Sequence, residues 1–165
     1  MFSLEEKKSQ KLKRKDVAKY VECTRTHLAR IYPLGLKVFS GNYNPIPHWI
    51  VGAQMVALNF QTKDLNYKIN NAKFKTNGQC GYVLKPNFLI NSNLTRKQLL
   101  QELKRDIKTL KMVILSGRNI PKAHNNDKGE VVDPYVQMII HTPKKKYQKT
   151  FKTHFVPNNG EYIFG

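Results

Sequence analysis

From Met55 to Phe60 the chain reads Met-Val-Ala-Leu-Asn-Phe, a near-continuous apolar run. A strand buried on both faces has this look, as in parallel sheets and barrels. Tyr82-Val83-Leu84 reads as a second short buried strand, stopped by Pro86, and Ala29 to Tyr32 as a strand end just before Pro33. Asn66 to Lys75 is polar, with weak helical spacing through Leu65, Ile69 and Ala72, and Asn77-Gly78 marks a turn. Pro33, Gly35, Gly41, Asn42, Asn44, Pro45 and Pro47 punctuate a long turn region. Short apolar strands separated by helix-length polar segments predict β/α units, and so an α/β fold.

The texture changes after Pro86. Thr95 can cap a helix, with Gln98 completing a capping box, and Leu99, Leu103, Ile107 and Leu110 then give that helix one apolar face. Leu110 to Leu115, Val131 to Ile140 and Tyr147 to Phe155 read as strands that follow one another through loops, which argues for an antiparallel sandwich. Two or three barrel strands cannot close a barrel, and three sandwich strands leave open edges. The expected layout is therefore a basic linker remnant at 1–19, half of a barrel at 20–92, a helical linker at 93–108 and the opening of a sandwich at 109–165. Both domains are expected to be incomplete.

Charge limits the partners. Lys and Arg number 29 against 11 Asp and Glu, a formal net charge of +18, which favours a polyanion or an anionic membrane face. The basic residues begin early, with Lys7, Lys8, Lys11, Lys13, Arg14, Lys15 and Lys19 in a stretch that reads as an exposed loop or a short surface helix. Lys144-Lys145-Lys146, continued by Lys149 and Lys152, could meet anionic head groups or simply protect an edge strand. Most aromatics sit in motifs that read as core, so nucleic acid is not the expected partner. No apolar run approaches the roughly 18 residues that span a membrane. Two cysteines, Cys23 and Cys80, with no C-x-x-C spacing make a disulfide framework an unlikely organiser.

The five histidines lie far apart, none beside a carboxylate at helical or strand spacing, and no full active site is legible. Two groups of residues carry chemistry. Arg30 and Tyr32, at i and i+2 of a strand, project to one side, where a guanidinium can fork onto a phosphate and a ring can stack on a sugar-like ring. The same pair could be an edge Arg shielding a half-buried Tyr. Residues from Asn125 to Pro134, with Asp127, Glu130 and Asp133, form a loop rich in oxygen ligands that could hold a hard cation or be a plain acidic turn.

Three stretches then share a likeness: Ala29-Arg30-Ile31-Tyr32-Pro33, the run Gln54 to Thr62, and Asn77-Gly78-Gln79-Cys80-Gly81-Tyr82-Val83-Leu84-Lys85-Pro86. In order and spacing they resemble the Y half of eukaryotic phosphoinositide-specific phospholipases C. Leu115-Ser116-Gly117, Pro121 and Val132-Asp133-Pro134-Tyr135-Val136 are similar to the start of the C2 domain that follows it. The resemblance implies the C-terminal half of a TIM-type barrel and then the first strands of an antiparallel β-sandwich. It implies a phosphoric diester hydrolase that splits phosphatidylinositol 4,5-bisphosphate into diacylglycerol and inositol trisphosphate in intracellular signalling. Its setting would be cytoplasmic and peripheral at the inner face of the plasma membrane.

By the same resemblance, Arg30 matches an arginine that grips a ring phosphate, Tyr32 a tyrosine that packs on the inositol ring, and Leu36 an apolar membrane rim residue. Calcium is the implied cofactor; in the C2 part Asp133 and Asn158 match ligands, and the Val131 backbone lies at another. The partners implied are a phosphoinositide head group, an anionic membrane surface and the X half of the barrel. That X half holds the catalytic histidines, so this chain alone is expected to be inactive. A family serine that contacts a phosphate precedes a phenylalanine; Met1 stands there before Phe2, with Ser3 a weak substitute. Further departures are Phe39-Ser40-Gly41 and Trp49-Ile50-Val51-Gly52-Ala53, where the family reads Asp-Ser-Ser and Trp-Asn-x-Gly-Cys. The alternative reading is a catalytically inactive relative that binds inositol phosphates or lipid as a scaffold.

Overall fold

The computed structural model describes residues 1–35, 40–90, 95, 97–98, 101, 109–121, 132–142, 148–155, 157 and 162–163. The chain divides into two compact units, Met1–Ile107 and Lys108–Gly165.

In the first unit β1 (Phe2–Glu5), β2 (Ala29–Tyr32) and β3 (Met55–Val56) form a parallel sheet in that order. Phe2 to Glu5 stand in register with Ala29 to Tyr32, and Arg30 and Ile31 with Met55 and Val56. Two helices, α1 (Glu6–Lys15) and α2 (Val17–Thr26), carry the chain from β1 to β2, the crossover that parallel pairing needs. Asp16 ends α1 and caps α2, its carboxylate accepting from the Lys19 N–H at 3.0 Å. A short α3 (Ile46–Trp49) precedes β3, and α4 (Leu65–Phe74) follows it, capped by Asp64.

Strand alternation sets the core. Ala29 and Ile31 are wholly buried and pack with Tyr43, Ala53 and Leu58, while Phe2 and Leu4 bridge this cluster to a second one of Tyr20, Val21, Val51 and Leu89. Leu89 lies on α5 (Asn87–Ile90), which closes the second cluster.

The basic opening stretch is part of this folded unit, not an appended linker. Residues 2–5 are a paired strand, and α1 turns Glu6 and Ser9 inward. Its inward face is polar, so an apolar period never shows in the sequence. Two expected strands also differ. The Met55–Phe60 run ladders only at Met55 and Val56, and Phe60 is exposed. Tyr82-Val83-Leu84 forms no strand, and Tyr82 and Leu84 are 79% and 84% exposed. It follows Asn77, Gly78, Gln79 and Gly81, all at positive φ, and borders an open groove of about 1000 Å³ shared with Trp49 and Phe74. With no ladder partner among the described residues, apolar composition alone does not make a strand.

In the second unit β4 (Ser116–Gly117), β5 (Gln137–Ile140), β6 (Lys149–Lys152) and β7 (Tyr162–Ile163) form two antiparallel pairs, β4 with β7 and β5 with β6. The three strands expected here are shorter than the sequence suggests. Residues 109–115 form none, and Leu110, Met112, Val113 and Leu115 are exposed. Upstream of β5, Pro134 offers no N–H, and the Val136 N–H turns to the Thr153 hydroxyl at 2.9 Å instead of a ladder carbonyl. The capping box at Thr95 is formed, with the Thr95 N–H donating to Gln98 Oε1 at 2.9 Å and the Gln98 N–H to Thr95 Oγ1 at 3.3 Å. Leu99, Leu103 and Ile107 of that helix lie outside the described residues.

Candidate functional site

Arg30 and Tyr32 sit on the central strand β2, on the face opposite the buried Ala29 and Ile31. Arg30 is exposed and Tyr32 half-buried, and the guanidinium carbon lies 5.3 Å from the Tyr32 ring centroid. That is cation–π range, so the ring steers the guanidinium while leaving its forked N–H edge open. Ser3 of β1 and Met55 of β3 hold the register positions beside Arg30, and Glu5 the one beside Tyr32. Ser3 and Met55 are both exposed, so a hydroxyl and a thioether flank the cation on an open face.

The strand under this pair is fixed by side chains distant in sequence. The Gln54 amide accepts from the Ala29 N–H at 3.0 Å and donates to the carbonyls of Thr24 (2.6 Å) and His27 (3.2 Å). One side chain thus joins the end of α2 to the start of β2. Gly52 lies beside it at φ +81°, and a Cβ there would come within 2.7 Å of Thr24 Oγ1. That hydroxyl lies 2.6 Å from the Val51 carbonyl, and Lys85 Nζ donates to the Thr24 carbonyl at 2.7 Å. Burial lowers the pKa of Lys85.

Behind β2, Tyr43 donates to the Ile31 carbonyl at 3.2 Å, and burial raises its pKa. The preceding Asn42 is the polar centre of the adjoining loops. Its amide donates to the carbonyls of Asn59 and Thr62 and to the Asp64 carboxylate, and its carbonyl oxygen accepts from the Asn59 N–H at 2.6 Å. Burial raises the Asp64 pKa, but N–H donors from Tyr67, Asn42 and Asn66 outweigh it and hold the carboxyl below its ordinary range. Of the departures noted in the sequence, Ala53 lies in the core with Ile31 and Tyr43.

In the sequence His48 is one of five scattered histidines. The structure buries it almost fully, with Nδ1 2.7 Å from Ser9 Oγ, which in turn lies 2.7 Å from Tyr20 Oη. Burial, aided by the charge of Lys13, pushes the imidazole down to about 4. This chain of three groups ties α1, α2 and α3 together. Its members are 11 and 39 residues apart, a spacing no local motif reveals.

Of the remaining expected site residues, Asp133 alone lies among the described ones. Leu36, Val131 and Asn158 lie outside the described residues, as does the loop at 122–131. Asp133 is exposed on the second unit, and the described residues hold no group of three His, Cys, Asp or Glu side chains that could bind a metal.

Residues 1–88 match the family described as phosphatidylinositol-specific phospholipase C, Y domain. The chain belongs to this family. It is 40% identical over 159 residues to mouse 1-phosphatidylinositol 4,5-bisphosphate phosphodiesterase delta-3, covering 96% of this chain and 20% of the relative. The human eta-2 phosphodiesterase is 40% identical over 145 residues, covering 84% of the chain and 10% of the relative. The crystal structure of S. officinalis PLC21 matches with a TM-score of 0.71 at 29% identity, covering 98% of this chain and 20% of that one. The chain thus spans about a fifth or less of the length of these relatives. The match beginning at residue 1 places the basic N-terminal stretch inside the phospholipase C Y domain.

Proposed function

We propose that this chain is the head-group-recognising part of a phosphoinositide phospholipase C, an enzyme hydrolysing phosphatidylinositol 4,5-bisphosphate to diacylglycerol and inositol trisphosphate. The single observation that carries the reading is the exposed guanidinium of Arg30 held over the Tyr32 ring at the end of a buried parallel strand. A ring phosphate takes the N–H fork of Arg30, and the inositol ring stacks against Tyr32. Ser3, beside Arg30 in register, is the hydroxyl placed to donate to the same phosphate. The activity after which these relatives are named supports this substrate class.

In this reading the three parallel strands belong to a TIM-type barrel whose X half brings the proton-transferring histidines, and the second unit opens a C2 domain. Calcium would serve both parts; Asp133, Asn158 and the Val131 carbonyl are the C2 positions assigned to it. The protein works at an anionic membrane surface from the cytoplasmic side, with Leu36 at the rim. No described helix is long and apolar enough to cross a membrane.

Calorimetric titration with inositol 1,4,5-trisphosphate tests the site. Arg30→Ala is expected to weaken binding by about tenfold or more, and Arg30→Lys by less, because a point charge replaces a fork. Circular dichroism should be unchanged. Equal affinity in all three proteins would refute the assignment.

A further inference from the structure

The peptide group leading into Arg30 is held at both ends. The Leu28 carbonyl accepts from the Phe2 N–H at 2.9 Å, and the Ala29 N–H donates to Gln54 Oε1 at 3.0 Å. The first bond continues the ladder with β1. The second replaces one: β3 begins at Met55, opposite Arg30, so Ala29 lies before the start of that pairing. The Gln54 side chain, one residue ahead of β3, stands where a ladder carbonyl would.

Gln54 Nε2 closes the other side of the joint. The Thr24 carbonyl belongs to the last turn of α2, where carbonyls have no partner inside the helix, and it accepts at 2.6 Å. The His27 carbonyl accepts at 3.2 Å. Only a carboxamide can serve all three groups. A carboxylate has no hydrogen for the two carbonyls, and an ammonium or guanidinium cannot accept from the Ala29 N–H.

We infer that Gln54 is a positioning residue for Arg30. Through the Ala29 N–H it sets where β2 starts, and so where the guanidinium stands relative to Ser3, Met55 and the Tyr32 ring. Arg30 follows the bonded amide directly, and Met55, which follows Gln54, is its register neighbour. Both strands are therefore tied at the point where the pair is displayed. A displacement of about 1 Å is enough to spoil a forked contact with phosphate, so this tie bears on recognition as well as on stability. The proposal rests on the reading of Arg30 and Tyr32 as the head-group pair and adds the residue that aims them.

The test uses the full chain, under conditions where circular dichroism shows every variant folded. Gln54→Met fills the same space but offers no donor and only a weak acceptor. Thr24→Val is the control: it removes the hydroxyl bonded to the Val21 and Val51 carbonyls in the same joint and leaves the Ala29–Gln54 bond alone. Both are expected to lower the urea midpoint. Without ligand, the NMR shift that the Tyr32 ring imposes on the Arg30 side-chain protons should collapse toward its Tyr32→Leu value in Gln54→Met. It should persist in Thr24→Val, and in Gln54→Glu, which keeps the acceptor for the Ala29 N–H. In calorimetric titration with inositol 1,4,5-trisphosphate, Gln54→Met should weaken binding about fivefold, but less than about twofold when Arg30 is already alanine. Thr24→Val should bind as the wild type does.

Unchanged Arg30 shifts in Gln54→Met would overturn the proposal. So would equal losses of affinity in Gln54→Met and Thr24→Val, or a fivefold loss that persists in the Arg30→Ala background, since each would make Gln54 a structural tie only. Absence of binding by the wild type would instead refute the head-group reading, and the ligand-free shifts would still decide the role of Gln54.

Discussion

The two units of the chain use similar raw material to different ends. In the first, apolar strand residues face a closed core and polar side chains cross-brace the elements around it. Gln54, Asn42 and the Ser9 trio each join segments far apart in sequence. In the second, among the described residues, Ile139, Ile140, Phe151 and Phe155 remain substantially exposed, and the strands are held by short antiparallel ladders. No residue of the second unit appears among the described buried hydrophobic core. Among the described residues, apolar content alone therefore does not give a core. The first unit has one because its strands alternate against helices whose orientation is locked by hydrogen bonds.

The sharpest way to break this contrast is to remove the same atoms from each unit. Ile31→Ala empties a fully buried site and should cost about 3 kcal/mol in urea unfolding. Ile139→Ala, at a side chain 37% exposed, should cost below about 1 kcal/mol. Similar losses at the two positions would mean that the second unit has a core of comparable quality.

Acid should separate the units next. The fold favours neutral His48, with its pKa pushed down to about 4. Its contribution is therefore complete above the ordinary imidazole value of about 6.5 and is lost as pH falls from there toward 4, by up to about 3 kcal/mol. Asp64, whose pKa is depressed, adds a loss only below the ordinary carboxylate range. Urea midpoints across this window should fall for the wild type and flatten for His48→Gln. An unchanged slope in that variant would remove His48 as the cause.

Smaller effects refine the picture. Asn42→Ala strands the Asn59 N–H and two carbonyls and should cost about 2 kcal/mol by thermal melting. Lys152→Ala, which removes a cation 5.0 Å from the Tyr135 ring centroid in the second unit, should cost only about 0.5 kcal/mol. A larger loss there than at Asn42 would reverse the comparison.

What the sequence reveals follows the range of the interaction. β2, α4, the Asn77-Gly78 turn and the Thr95–Gln98 cap are local, and propensity or spacing predicts each. Arg30 and Tyr32 are legible as a pair because strand alternation alone puts them on one side. The sequence leaves α1 open between a loop and a short surface helix, because its inward residues are Glu6 and Ser9, which no hydrophobic period can mark. Tyr82 to Leu84 misleads in the opposite direction, since apolar residues signal a strand but cannot supply its partner. The His48 site is invisible for a third reason: three ordinary residues acquire meaning only when helices meet.

The Ser9 hydroxyl has one further consequence, for where protons reside. It has a single hydrogen and lies between Tyr20 Oη and His48 Nδ1, each at 2.7 Å. If the Tyr20 hydroxyl donates to Ser9 and Ser9 donates onward, both hydroxyl hydrogens find acceptors. The reverse direction leaves the Tyr20 hydrogen without a described acceptor. That direction puts the imidazole proton on Nε2, the buried ring atom with no hydrogen-bond partner, so each direction leaves one hydrogen unmatched among the described residues. The imidazole ring stands at 88° to the Tyr43 ring, with 5.1 Å between centroids. The order of three protons thus determines which tautomer the interior of this unit holds.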